Sequence, residues 1–297
     1  MTSRVVIVVL NWNGAKDTIR CVESLHKVTY LSKETVIIDN GSTDGSSRRL
    51  KERFPEIKLF ENLKNLGYAG GNNVGIEYAL RCNAEFVVLL NNDTVVDPGF
   101  LDPLVEGARR FPRAAFLGPK ILYLNDPGIV WFGGGRVNWS EGTSHIGKDQ
   151  RDDRADIVSR EVDYVTGCCL MARTEAIRQI GLMDPAFFLL FEETDWCLRA
   201  KQAGWQSIYE PRSWVWHAVS RSFGGQESPT YRYYYARNRL LLMRKHLRGV
   251  QRVKATARAV LGEAALAGWY LAQGRLPQAG ATVRGVVHFG LNRFGPL

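Results

Sequence analysis

The chain has 297 residues, 45% hydrophobic and 23% charged. That balance excludes a disordered chain, a fibre and a disulfide-stapled miniature, and fits one large domain or two small ones. The net charge of +9 points first to a polyanion, either nucleic acid or an anionic membrane, but its distribution is uneven. Residues 231–297 hold 12 Lys/Arg against one acid, Glu263, a surplus of +11, while residues 1–230 hold 27 basic and 29 acidic residues, a net of −2. The five cysteines (Cys21, Cys82, Cys168, Cys169, Cys197) are odd in number and lack a C-x-x-C pair, so buried reduced thiols are expected, not a zinc site or a disulfide framework. The apolar run Val5–Leu10 is too short for a signal-peptide core, and no stretch reaches the ~18 apolar residues of a membrane span. A cytoplasmic protein, resting on the inner face of a membrane, is the expectation.

In chain order, the first ~125 residues alternate strand and helix. The apolar run from Arg4 to Leu10 reads as a strand buried on both faces, followed by a helix over Ala15–His26. Thr35–Ile38 is a second strand, ended by the polar run Asp39–Gly45. A short helix Ser46–Arg53 and a strand Ile57–Phe60 come next. The Gly/Asn-rich stretch Asn62–Asn73 is expected as a loop leading into a helix Val74–Cys82. Strand Glu85–Leu90 ends in Asn91-Asn92-Asp93, and a helix Pro98–Arg110 carries Pro in its first turn. This order predicts an α/β fold with a mainly parallel central sheet flanked by helices.

From 119 to 170 the pattern changes to short strand-like runs and a polar loop over Gly147–Asp156, an expected antiparallel extension. Helices Thr174–Ile180 and Glu192–Ala203 and strands Gln206–Tyr209 and Trp214–His217 complete the body. Ser220–Pro229 reads as a mobile loop, and two helices, about Tyr231–Leu247 and Val250–Ala272, form the basic tail. The expected division is a catalytic domain 1–230, with a nucleotide-binding half 1–118 and an acceptor half 119–230, and a helical extension 231–297.

In an open parallel sheet, ligands bind beyond the carboxyl ends of the strands. Asn11-Trp12-Asn13, Asp39–Asp44 and Asn91–Asp93 all fall there. Each alone makes a plain turn; together they point to a site. The first strand–helix turn lacks G-x-G-x-x-G and the P-loop pattern is absent, which argues against a backbone phosphate cradle. A divalent metal, Mg²⁺ or Mn²⁺, held by an acid is the economical alternative, and Asp93 is placed for it.

Three motifs, Asp39-Asn40-Gly-Ser42-Thr43-Asp44, Asn65-Leu-Gly67-Tyr-Ala-Gly-Gly71-Asn-Asn and Asn91-Asn92-Asp93, resemble family 2 glycosyltransferases of the GT-A fold. Val165-Thr-Gly167 and Phe187–Arg199 extend the resemblance over about residues 3–245. The similar sub-group is the rhamnosyltransferase-like enzymes of bacterial cell-surface polysaccharide assembly. The resemblance implies a nucleotide-diphospho-sugar donor, most naturally dTDP-rhamnose, and a lipid-linked saccharide acceptor. By position it places Asn11, Asn13, Asp39, Ser42, Asp44, Asn65, Gly67, Gly71 and Asn92 around the nucleotide. Asp93 stands at the last acid of the family's D-x-D motif, whose first acid is Asn91 here, and His217 matches a late His that completes metal coordination.

Inverting transfer needs a base for the acceptor hydroxyl. The resemblance makes Glu193 that base, with Glu192 the runner-up and Asp195 structural or acceptor-orienting. Acids in a first helical turn are also ordinary helix-start chemistry. Arg199, four residues after Asp195, is either a local ion pair or an acceptor contact, and Asp184 is either a turn residue or a sugar neighbour. Trp131 lines a sugar pocket or packs in the core. Gly167 admits the donor sugar or makes a tight turn.

The tail reads as a basic amphipathic surface for an anionic membrane or as a solvated face. No nucleic-acid-binding module accompanies its charge, so nucleic acid is not expected as a partner. The rival readings are a nucleotidyltransferase of related fold and a non-catalytic membrane-associated binding protein.

Overall fold

A computed structural model describes residues 2–219 and 227–297. Most of the expected mobile loop Ser220–Pro229 therefore lies outside the described residues. The strands are β1 (Val5–Asn11), β2 (Lys33–Asp39), β3 (Lys58–Glu61), β4 (Phe86–Asn91), β5 (Thr94–Val96), β6 (Ala114–Tyr123), β7 (Val130–Phe132), β8 (Gly135–Asn138), β9 (Gly142–His145), β10 (Arg160–Val162), β11 (Cys169–Arg173) and β12 (Gln206–His217). The helices are α1 (Ala15–Leu25), α2 (Ser46–Arg53), α3 (Gly67–Arg81), α4 (Leu101–Arg110), α5 (Thr174–Ile180), α6 (Glu192–Gln202), α7 (Pro229–His246), α8 (Gly249–Ala272) and α9 (Leu276–Gly290).

One sheet runs β10-β12-β6-β11-β4-β1-β2-β3, with β5 added to β12 and β7 to β6. The β3-β2-β1-β4 half is parallel, as the buried β-branched runs require. Val5–Val9 and Phe86–Leu90 are completely or almost completely buried. The sequence pattern does not place β11, which inserts antiparallel between β4 and β6. Two strands expected near 206–217 are one, β12, bulged between Glu210 and Trp214. The register matters for the site: β12 sets His217 opposite Tyr123 of β6 and Thr94 of β5, so Asp93, just before β5, lies beside His217.

Two corrections have a physical cause. The Gly/Asn-rich stretch is not a loop up to Asn73, because α3 begins at Gly67. Its glycines are packing devices: a Cβ on Gly71 would lie 2.6 Å from Leu10 Cδ1, and one on Gly67 would strike the Phe188 carbonyl. The tail has a third helix, α9, hidden by its glycines and by Pro277 in its first turn. Gly285 lets α9 lie against α7, since a Cβ there would sit 2.5 Å from Tyr233 O.

At the expected boundary near residue 230, α7 packs against the body that precedes it. That helix buries Arg232, Tyr233, Tyr234, Arg237, Asn238 and Leu240, and Leu241 and Leu242 join Phe187 and Phe191 in one apolar cluster. Glu263, the tail's only acid, is buried against Arg232 at 2.7 Å and Arg239 at 3.8 Å. All five cysteines are free, four of them buried.

Candidate active site

At the carboxyl ends of β1, β4 and β12 lies a cavity of about 450 Å³. Its lining includes Trp12, Asn65, Gly67, Asn91, Asn92, Asp93, Trp131, Gly167, Glu192, Glu193 and His217, so much of the expected site converges there. Asn11, Asn13, Asp39, Ser42, Asp44, Gly71, Asp184, Asp195 and Arg199 are not among the lining residues.

Hydrogen bonds explain the split. Asn11 and Asp39 end adjacent strands in register. Asn11 Nδ2 donates to Asp39 Oδ1 at 2.6 Å, and Asn11 Oδ1 accepts from Thr18 at 2.7 Å. The Ser42 amide donates to Asp39 Oδ2 at 3.0 Å, while Ser42 Oγ accepts from the Asn13 amide and Asn13 Oδ1 accepts from the Thr43 amide. These hydrogen bonds knit the two loops together. Asp44, exposed, accepts from the Ser46 amide and pairs with Arg49, and its carboxyl titrates below the usual range because of the Ser46 hydrogen bond. Asn65 Oδ1 caps the Gly67 amide at 2.8 Å, and the Tyr68 amide donates to Phe188 O, so the start of α3 is satisfied internally. Asn92 Nδ2 donates to Thr18 at 3.0 Å.

The metal candidates behave differently. His217 Nε2 lies 3.2 Å from Asp93 Oδ1, and His217 Nδ1 is buried with no hydrogen-bond partner among the described residues. Trp131 packs edge-on against His217 with centroids 4.6 Å apart, and His145 packs behind Trp131 at 4.7 Å. Burial drives the His145 pKa down to about 4, so it is neutral at pH 7. Trp131 thus braces an imidazole as well as lining the cavity. Two cis ligands of an octahedral ion, each ~2.1 Å from it, sit about 3 Å apart, so Asp93 and His217 fit a divalent cation. Among the described residues no third His, Cys, Asp or Glu completes a protein cage, which leaves room for ligand oxygens.

Glu192 and Glu193 open α6 after Phe191, which is left-handed at φ 72°. Glu192 Oε2 is buried with no hydrogen-bond partner among the described residues. Burial raises the Glu192 carboxyl well above its ordinary range and the neighbouring Glu193 charge adds to it. Burial also raises Glu193, opposed by backbone amides of Glu193, Gly167 and Thr194. A carboxyl lifted towards neutrality by burial suits proton transfer. Gly167 accommodates Tyr68, whose hydroxyl donates to Gly167 O at 2.5 Å and would lie 2.7 Å from a Cβ there.

Asp195 belongs to a different structure. Fully buried, it pairs with Arg199 at 2.9 Å, His246 at 2.9 Å and Lys245 at 3.0 Å. Arg199 also donates to Ile180 O and Leu182 O, and Lys245 reaches Asp184 at 2.5 Å. This network ties α6 to α7.

Sequence reasoning missed Tyr68, Tyr123, Lys148, Thr166 and Tyr231, which also line the cavity. Lys148 is the only Lys or Arg among its described lining residues, set against Asp93, Glu192 and Glu193. It sits in the polar loop after β9, where no periodicity marks it.

Residues 5–181 match Glycosyl transferase family 2. Over 245 residues the chain is 29% identical to the N-acetylglucosaminyl-diphospho-decaprenol L-rhamnosyltransferase of Mycobacterium tuberculosis, covering 75% of this chain and 79% of that protein. It is 23% identical over 259 residues to the dTDP-rhamnosyl transferase RfbF of Shigella flexneri, covering 83% and 82%. Among solved structures, GalNAc-T7 with UDP, GalNAc and Mn²⁺ aligns with a TM-score of 0.62 and 20% identity over 78% of this chain, which spans 48% of that one. The Pyrobaculum calidifontis mannosyltransferase PcManGT with GDP-Man and Mn²⁺ aligns with a TM-score of 0.60 and 15% identity over 98% of this chain and 88% of that one. These structural likenesses carry the fold, which is GT-A.

Proposed function

This chain belongs to glycosyl transferase family 2, and from that membership we propose that it moves rhamnose from dTDP-rhamnose to a hydroxyl of a lipid-linked saccharide, with inversion, during cell-surface polysaccharide assembly. The observation that carries the reading is the pairing, on one cavity, of two carboxyls at a helix start, Glu192 buried and Glu193 half-buried, with an Asp–His pair spaced for a cation. The rhamnosyl donor rests on the similarity to the two rhamnosyltransferases.

Asp93 and His217 would hold Mg²⁺ or Mn²⁺, the imidazole nitrogen favouring Mn²⁺. Such an ion supplies positive charge to a leaving diphosphate. The need for it follows from the lining: Lys148 is the only Lys or Arg among the described lining residues, it faces three acidic side chains, and the donor adds the negative charge of its diphosphate. Glu193 takes the proton from the acceptor hydroxyl as its oxygen bonds to the anomeric carbon. The bond to the diphosphate breaks on the opposite side, and the nucleoside diphosphate leaves. Burial raises the base's proton affinity, the Glu193 charge in turn helps the neighbouring Glu192 keep its proton, and the aromatic wall of Phe188 and Tyr68 limits water.

Asn11, Asn13, Asp39, Ser42 and Asp44 shape the nucleotide end through the loop they brace. The outer face of α8 carries exposed Arg252, Lys254 and Arg258 and exposed Val253, Leu261, Trp269 and Leu271. Among the described residues no helix is long and apolar enough to cross a membrane. That face suits a cytoplasmic enzyme resting on an anionic inner leaflet.

A thermal-shift screen of dTDP-rhamnose, UDP- and GDP-sugars with Mn²⁺ tests the reading. The largest stabilisation is expected from dTDP-rhamnose; equal, absent or metal-independent shifts would contradict it. For the membrane, Arg252→Glu, Lys254→Glu and Arg258→Glu together should abolish sedimentation with anionic vesicles. Unchanged sedimentation would remove α8 from that role.

A further inference from the structure

The segment that delivers Glu192 and Glu193 to the cavity is held in an unfavourable backbone conformation. Phe188, Leu190 and Phe191 all have positive φ, at 62°, 69° and 72°. For bulky non-glycine residues each such conformation costs on the order of 1–3 kcal/mol. Local turn hydrogen bonds, from the Phe187 amide to Asp184 O and from the Phe188 amide to Pro185 O, offset part of that cost. Other groups hold its carbonyls in place: the Tyr68 amide of α3 holds Phe188 O and the Gly295 amide shares Ala186 O, while α7 supplies the side-chain donors to the carbonyls of Ala186, Phe187, Leu189 and Leu190.

Arg237 is fully buried, and its five N–H donors meet five acceptors. Nε donates to Asn238 Oδ1 at 2.9 Å. Nη1 donates to Tyr233 Oη at 3.3 Å and Gly295 O at 2.7 Å, and Nη2 to Ala186 O at 3.2 Å and Phe187 O at 3.0 Å. The bond from Arg237 Nε fixes which end of the Asn238 amide is oxygen. Asn238 Nδ2 therefore faces the segment, 2.7 Å from Phe187 O, 2.6 Å from Leu189 O and 3.1 Å from Leu190 O. The guanidinium also lies over the rings of Tyr233, Tyr234 and Phe294. A buried cation whose acceptors include no carboxylate is expensive to desolvate, and all of its described directional contacts lie within α7 or join it to the 186–187 backbone and the chain's last residues.

We propose that Arg237 and Asn238 are positioning residues that clamp the 186–190 backbone and so fix where α6 presents Glu192 and Glu193. The first helix of the basic tail, on this account, belongs to the catalytic machinery and sets the base, while α8 keeps its charges outward. The inference rests on the reading of Glu193 as base, and its test separates the two.

Asn238→Asp keeps the shape but replaces the amide donor with an oxygen facing three carbonyls, and Arg237→Lys replaces a planar fork with a point charge. In the full-length chain each should lower kcat 10- to 100-fold while the KM for dTDP-rhamnose and the nucleotide-induced thermal shift stay within about twofold of wild type. Amide hydrogen exchange across 187–195 should accelerate, and the acid limb of the kcat–pH profile should move down towards ordinary Glu values as Glu193 gains solvent. Asn238→Ser, whose short hydroxyl cannot replace the amide donors across this span and adds no charge, covers the case in which Asn238→Asp fails to fold. Transfer at near wild-type rate in Asn238→Ser and Arg237→Lys would overturn the clamp. So would a parallel loss of kcat, donor affinity and protection throughout the chain, which marks a merely structural pair. If exchange accelerates only across 187–195 and kcat falls, yet Glu193→Gln transfers normally, the clamp stands and the base assignment fails.

Discussion

The strand-end cluster around Asn11 and Asp39 and the helix start at Glu192 and Glu193 are both polar and both set well into the fold, yet they differ in one respect. In the first, Asn11, Asp39 and Ser42 satisfy one another and Thr18. In the second, Glu192 Oε2 has no partner among the described residues and burial lifts both carboxyls. Spent hydrogen-bonding capacity builds a scaffold; unspent capacity facing a cavity is available to a ligand. His217 falls on the second side: its Nδ1 has no partner among the described residues, while its Nε2 lies 3.2 Å from Asp93 Oδ1.

The largest effect that sharpens this contrast is on transfer. Asp93→Ala is expected to abolish the Mn²⁺-dependent thermal shift by dTDP and reduce turnover at least as far as loss of the base does, about 10²–10⁴-fold. A surviving metal-dependent shift would take Asp93 out of the metal site. The wild-type kcat should rise with pH through a value above the ordinary Glu range, because the base must be ionised to act and burial holds its proton. An acid limb at the ordinary carboxylate value would argue against Glu193.

Next in size is a stability gain. The folded state binds the Glu193 proton more tightly than the unfolded chain does. Stability is therefore lost as pH rises from the ordinary carboxyl range through the raised folded value. Glu193→Gln removes that cost and should melt higher than wild type at pH 7, with the difference vanishing at about pH 4, near the ordinary Glu value. A lower Tm at pH 7 would mean the carboxylate is stabilised by contacts absent from this account.

On the scaffold side, Asn11→Ala strands the Asp39 and Thr18 groups and should cost about 1–3 kcal/mol in denaturant unfolding. Its donor KM should stay within a few-fold of wild type; a large KM rise with intact stability would return Asn11 to direct nucleotide contact. Asp44→Ala, at an exposed ion pair, should change stability by less than about 1 kcal/mol. A marked rise in donor KM for that variant would support the nucleotide contact implied by the resemblance.

The contrast also marks what the sequence made legible. Buried β-branched runs gave the parallel half of the sheet, and polar strand ends gave the location of the site. Motif order pointed to Glu193, Asp93 and His217, which the fold brings to one cavity. Whether Asp39 faces a ligand or Asn11 depends on register across two strands, a long-range fact that composition does not carry. The same holds for β11, inserted far from its sequence neighbours, and for α9, whose glycines weaken its helical signal while allowing it to pack on α7. The tail's charge was visible as a sum; its division into buried Arg232 and Arg237 and exposed Arg252 and Lys254 was not.

The most direct test of the central claim is the rate of nucleoside diphosphate release by Glu193→Gln with dTDP-rhamnose, Mn²⁺ and a polyprenyl-diphosphate-linked sugar acceptor. The account predicts donor affinity close to wild type with transfer at least ~100-fold slower. Transfer within about twofold of wild type would contradict it.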